Sequence, residues 1–203
     1  RVAQLLTAYR VQESRSAQDC ALIAQIAQAH LRFDPNDQVN DSHVLTVRRP
    51  DRIEELRPMA QRFIGTATDL ALEFFGPLIL YAKFPVVIAF VFNLDACEGS
   101  TTYPNNEDQR PRPLRSETGQ CCLHFGQLAH GATPCGGDET RHIFSGQLKL
   151  SKTEWRIDPC FLTTYAPRPG QDAMHGRTDR LDVHRDGNYP HGTKNLSEGI
   201  IDS

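Results

Sequence analysis

The residue pattern predicts an α+β protein: a helix-rich N-terminal half packed on a small sheet, then a loop-rich β C-terminal half ending in an irregular arm. Three observations point there. Apolar residues recur at helical spacing from Ala17 to Leu31. The stretch from Phe74 to Leu94 is apolar with little alternation, as strands covered on both faces are. His142 to Ile157 alternates, with Leu148 and Leu150 on one side and Lys149 and Ser151 on the other.

In chain order, Cys20, Ile23, Ala24, Ala27 and Leu31 form the first helical stripe, and Asp34-Pro35-Asn36-Asp37 ends it with turn chemistry. His43 to Val47 reads as a short strand. A second helix is expected from Asp51: Pro50 precedes it, its carboxylate can accept amide hydrogen bonds, and Glu54 stands three residues on. A further turn or two over Thr66 to Phe75 leads to Gly76-Pro77. Residues 78–84 and 86–94 are then expected as two buried strands split at Lys83–Pro85. The same run reaches the length of a membrane span, but Pro77, Lys83 and Pro85 interrupt it, so no span is expected. The segment 97–115 reads as a loop and an internal boundary, and Cys160 to Tyr165 as another strand. The chain is thus expected to form one domain over 1–165 and an irregular arm over 166–203. That arm has few apolar residues and no period, too little to offset its ordering entropy. A partner subunit, a metal or a wrap over the domain is expected to hold it.

Composition narrows the class. With 203 residues, 39% hydrophobic and 23% charged, the chain is neither collagen-like, coiled-coil nor strongly disordered, and a net charge of −3 argues against a general polyanion binder. There are 18 Arg and only 4 Lys (Lys83, Lys149, Lys152 and Lys194). Codon bias in a GC-rich genome accounts for that ratio as readily as anion recognition does. Arg48, Arg49 and Arg52 are interleaved with Asp51, Glu54 and Glu55, and Arg110, Arg112 and Arg115 have only Tyr103 nearby, so nucleic-acid binding is not expected. Six cysteines (20, 97, 121, 122, 135 and 160) form an even set, as closed disulfides require. Asn40-Asp41-Ser42 and Asn195-Leu196-Ser197 are glycosylation sequons. No signal-peptide pattern is visible from Arg1 onward, so any such segment is expected to be gone already. These features favour a secreted or periplasmic glycoprotein with disulfides that include Cys121, Cys122 and Cys135.

The densest chemistry is Cys122, His124, His130, Cys135 and His142, thiols and imidazoles of the kind a tetrahedral zinc site uses. From Cys122 the spacing is similar to a zinc knuckle, except that Phe125 fills the second Cys slot and Ala129 the usual glycine. A second group lies in the arm: His175, Asp179, Asp182, His184, Asp186 and His191. Asp182 and His184 share one face of an extended chain, where a carboxylate can orient His184 as a general base. A third candidate is Cys20, near a helix start where the dipole stabilises a thiolate, with His124, His130 or His142 as its base. The Asp19-Cys20 string is similar, over a few residues, to the start of papain-like cell-wall peptidases, although Ala21-Leu22 replace their Ser-Gly. Cys20 also shares a stripe with Ile23 and Ala27, which places it in a core. No Gly-rich phosphate loop, G-x-S-x-G, H-E-x-x-H or C-x-x-C-H motif occurs. The expected function is a disulfide-stabilised extracytoplasmic binding or assembly protein whose arm contacts a protein partner or a second copy. The alternative is a metal-dependent (zinc) or thiol hydrolase.

Overall fold

Strand β1 (Tyr9–Glu13) leads into Ser16, whose hydroxyl accepts the Asp19 amide at 3.1 Å and caps helix α1 (Ala17–Ala27). A short 3-10 turn (Gln28–His30), β2 (Arg32–Phe33) and β3 (Ser42–Arg48) follow. The computed structural model describes residues 9–13, 15–33, 42–96, 101–104, 111–114, 117–128, 130–132, 139–152 and 155–167. Helix α2 (Arg57–Tyr81) leads to β4 (Val86–Asn93), and then come β5 (Thr101–Pro104), β6 (Pro111–Leu114), β7 (Gln120–Phe125), β8 (Gly131–Ala132), β9 (Arg141–Leu150), β10 (Trp155–Ile157) and β11 (Phe161–Pro167). The fold is α+β, as the periodicities predict.

The main sheet has eight strands in the order β1-β7-β4-β9-β11-β3-β2, with β10 added on β9, and every pairing is antiparallel. A second sheet is ordered β6-β5-β8. The segment expected as a loop at 97–115 therefore carries two paired strands. The arm from 168 on, with its expected partner contact, lies outside the described residues.

Strand alternation gives the main sheet two faces, and the register says which residues share each. Face one carries Phe90, Phe92, Cys121, Leu123, Phe144, Leu148, Leu150 and Leu162, all in one apolar cluster with both helices. Phe63 of α2 meets the Phe92 ring at 4.9 Å and the Phe144 ring at 5.4 Å, and Phe75 meets Phe125 at 5.1 Å. Gly146, opposite Phe90, leaves the notch that this ring fills; a Cβ there would lie 2.7 Å from it. At the β7 turn Gly119 takes φ 83° and stacks directly on the Arg15 carbonyl, where no side chain fits.

Two expected elements differ. Residues 78–81 are helical, because α2 runs through Gly76-Pro77 to Tyr81 instead of giving way to a strand. Phe75 and Ile79 are buried on the sheet on either side of Pro77, so packing outweighs the one hydrogen bond that proline removes. At the other end, α2 begins at Arg57 and not at Asp51. Asp51 is taken up elsewhere: Arg49 donates to both its oxygens, at 3.0 and 2.8 Å, and the Cys160 thiol donates at 3.2 Å. By length and composition α2 is apolar enough to cross a membrane; here one of its faces packs on the sheet.

Candidate functional site

Face two of the main sheet is also buried, but its chemistry is different. Cys122, Ala89, Val91, Ile143 and Val44 line it, and among them stand Thr46, Asn93, His124, Arg141 and Thr163. Those five are most of the seven buried polar or charged residues among the described ones. Burying such groups is unfavourable unless something compensates, so their concentration on one face is the feature to explain.

Four of the five are neighbours. Asn93, Ile143, Thr163 and Thr46 form one rung across β4, β9, β11 and β3, and Arg141 sits on the next rung of β9, opposite Tyr165. The Arg141 Nε donates to Asn93 Oδ1 at 3.4 Å, and Asn93 Nδ2 donates to the Asp95 carbonyl at 2.6 Å. Arg141 is 1% exposed, a guanidinium held out of water. Thr46 and Thr163 face each other across β3 and β11, yet the buried Thr46 hydroxyl has no hydrogen-bond partner among the described residues. Arg141 is a diagonal neighbour of Thr163, about 7–8 Å away, while Asn93 and Thr46, at the two ends of the rung, stand three strand spacings or about 14 Å apart. None of the four was legible as a site, since scattered Thr, Asn and Arg have no motif; only strand register brings them together.

His124 lies at the far end of the same face, about 14 Å from Asn93 and about 20 Å or more from Arg141, Thr163 and Thr46 by strand spacing. Its Nδ1–H donates to the Phe125 carbonyl at 2.8 Å, and the His130 Nδ1–H donates to the Leu128 carbonyl at 2.9 Å. The two rings stand 4.6 Å apart. Burial, with His130 beside it, lowers the His124 pKa to about 4, so the ring is neutral at pH 7.

No family model matches this chain, and no curated protein does. Among solved structures, a crystal structure of a prolyl-4-hydroxylase from Pseudomonas putida superposes with a TM-score of 0.44 at 11% identity, over 82% of this chain and 99% of that one. A superposition of that quality says nothing about chemistry.

The expected zinc cluster is not assembled. Cys122 and His124 share face two and the His130 ring lies tilted beside that of His124, but His142 is on face one, turned the other way by strand parity. There its Nδ1–H donates to Asp95 at 2.6 Å, the same carboxylate accepts its backbone amide at 3.0 Å, and Gln28 reaches its Nε2 at 3.5 Å. Cys135 lies outside the described residues, and among those described no three His, Cys, Asp or Glu side chains gather as a metal requires. The metal-dependent hydrolase reading is corrected accordingly.

The thiol reading fails as well. Cys20 is fully buried, and burial, reinforced by Asp19, raises its pKa to about 11, outweighing the Arg15 charge and any helix-dipole effect. A protonated thiol without access to solvent is not a nucleophile. His184 lies outside the described residues. The disulfide reading is overturned for the described cysteines: Cys20, Cys121, Cys122 and Cys160 are all free. Cys121 and Cys122 point to opposite faces, and Cys160 donates to Asp51. A disulfide-stabilised binding or assembly protein is therefore not what these residues build, and Cys97 and Cys135 lie outside the described residues.

Proposed function

We propose that this chain binds a small carboxylate or phosphate anion on face two of its main sheet, with Arg141 as the charge partner and Asn93, Thr163 and Thr46 as hydrogen-bonding neighbours. The observation that carries this reading is a buried guanidinium and a buried hydroxyl at Thr46 without a partner among the described residues, on adjoining rungs of one face with only strand β11 between them. Guanidinium suits carboxylate or phosphate, because its planar donors match two oxygens at once and it sheds water more readily than an ammonium. Desolvation strengthens that attraction, and an anion with a second oxygen supplies the acceptor or donor that Thr46 lacks. His124 is too far away to touch the same ligand.

The test is a ligand panel of short mono- and dicarboxylates and inorganic phosphate, read by thermal shift and titration calorimetry on the full chain. One anion class raises the melting temperature, and the other does not, which separates carboxylate from phosphate. Arg141→Gln abolishes the shift. Thr46→Val weakens binding roughly tenfold while stabilising the free protein by about 1 kcal/mol, because it removes an unsatisfied buried hydroxyl. A panel with no response at millimolar concentration, or an undiminished response in Thr46→Val, overturns the proposal.

A further inference from the structure

Exposed large apolar side chains are not spread evenly. Among the described residues, four of the six meet at one end of the molecule: Leu80 (63% exposed), Tyr81 (85%), Phe84 (80%) and Trp155 (55%). The first three close α2 and lead into β4. Trp155 joins them through register, since Trp155, Leu150 and Val86 form one rung across β10, β9 and β4. That rung places Trp155 about 10 Å from Val86, two residues beyond Phe84.

Charge gathers at the same end. Lys83 lies between Tyr81 and Phe84 and Lys152 is in the β9–β10 turn; Arg156 and Lys149, opposite each other, stand at this end on the other face of the sheet from Trp155, with Lys149 paired to Asp158 at 2.8 Å. Three of the chain's four lysines are therefore here. Among the described residues these four cations stand against Asp158, in a chain whose net charge is −3.

We infer that this end docks on an anionic lipid bilayer surface. Tyr and Trp with Lys and Arg are the residues that settle at the headgroup level, where rings sit among the acyl boundary and cations meet anionic lipid. A protein partner fits less well, because lysine is depleted at protein interfaces while aromatics are enriched. The mode is surface docking by one tip: α2 keeps its packed face on the sheet.

Trp155 is the chain's single tryptophan and reports on its own environment. The full chain is mixed with vesicles of phosphatidylcholine containing about one-third phosphatidylserine, and with pure phosphatidylcholine vesicles. Co-sedimentation and a blue shift of Trp155 emission are expected with the anionic vesicles. Both weaken at least about tenfold in pure phosphatidylcholine, in about 0.5 M salt, or in the Lys83→Glu/Lys152→Glu variant. Tyr81→Ser/Phe84→Ser loses binding with an unchanged melting temperature, since both side chains are already in water. No blue shift with anionic vesicles, or full binding by Tyr81→Ser/Phe84→Ser, overturns the inference. So does a blue shift that tracks protein concentration without vesicles while light scattering doubles the mass, because the occupant is then a second copy.

Discussion

An imidazole kept from water at His124 makes the fold sensitive to acid. In the unfolded chain this ring takes its proton near pH 6.5, and in the folded chain only near 4. Between those values the unfolded state binds more protons, so stability is complete above about pH 6.5 and drains away as the pH falls toward about 4, on the order of 3 kcal/mol in all. Urea unfolding at about pH 7.5 and about pH 4.5 measures it: the wild type should lose that much more than His124→Gln, and equal losses would show that the ring titrates normally. The segment Cys121-Cys122-Leu123-His124-Phe125 also shows how far single residues were legible. Its density of thiol and imidazole draws the eye to metal chemistry. A strand period of two instead sends Cys121, Leu123 and Phe125 into the apolar core, and Cys122 and His124 to the opposite face. Arg141 gives no signal of its own at this scale, because a lone arginine ahead of an alternating run looks like a solvated strand end.

Helix α2 shows where local preference and packing disagree. Pro77 is exposed and sits inside the helix, lacking the amide that would bond the Glu73 carbonyl. Replacing it with alanine restores that bond and relieves the ring, so Pro77→Ala should raise stability by about 1–3 kcal/mol and the melting temperature with it. A lower melting temperature would mean that a Pro-induced bend is needed to seat Phe75 and Ile79. The helix stripe of α1 was legible because it buries one face at a clean period, and β9 because its outer half, residues 147–150, alternates between buried and more exposed positions. The run after Phe74 was not. Its residues are apolar whichever element they adopt, and β-branched and aromatic content alone cannot tell a helix end from a buried strand.

At the scale of the molecule, the described residues are held by a helix-covered apolar layer, with no cross-link among them. Its cysteines behave accordingly: burial raises Cys20 to about 11 and Cys160 to about 12, the latter also through its bond to Asp51, and pushes Cys121 well above the usual thiol range. Cys20, Cys121, Cys122 and Cys160 should stay unmodified by iodoacetamide in the native chain, and all four should react once guanidinium unfolds it. Peptide mapping by mass spectrometry decides this, and rapid native labelling of any of the four would contradict the packing described. Composition and periodicity by themselves determined that the chain folds, that it is α+β, that α1 and β9 exist, and that Cys20 belongs to a core. Those properties depend on neighbours within a turn or a strand. Tertiary structure alone decided the continuation of α2, the separation of His124 from His142, and the meeting of Asn93, Arg141, Thr163 and Thr46. Each of these depends on which strands pair and in which register, and antiparallel register joins residues as far apart in sequence as Thr46 and Thr163.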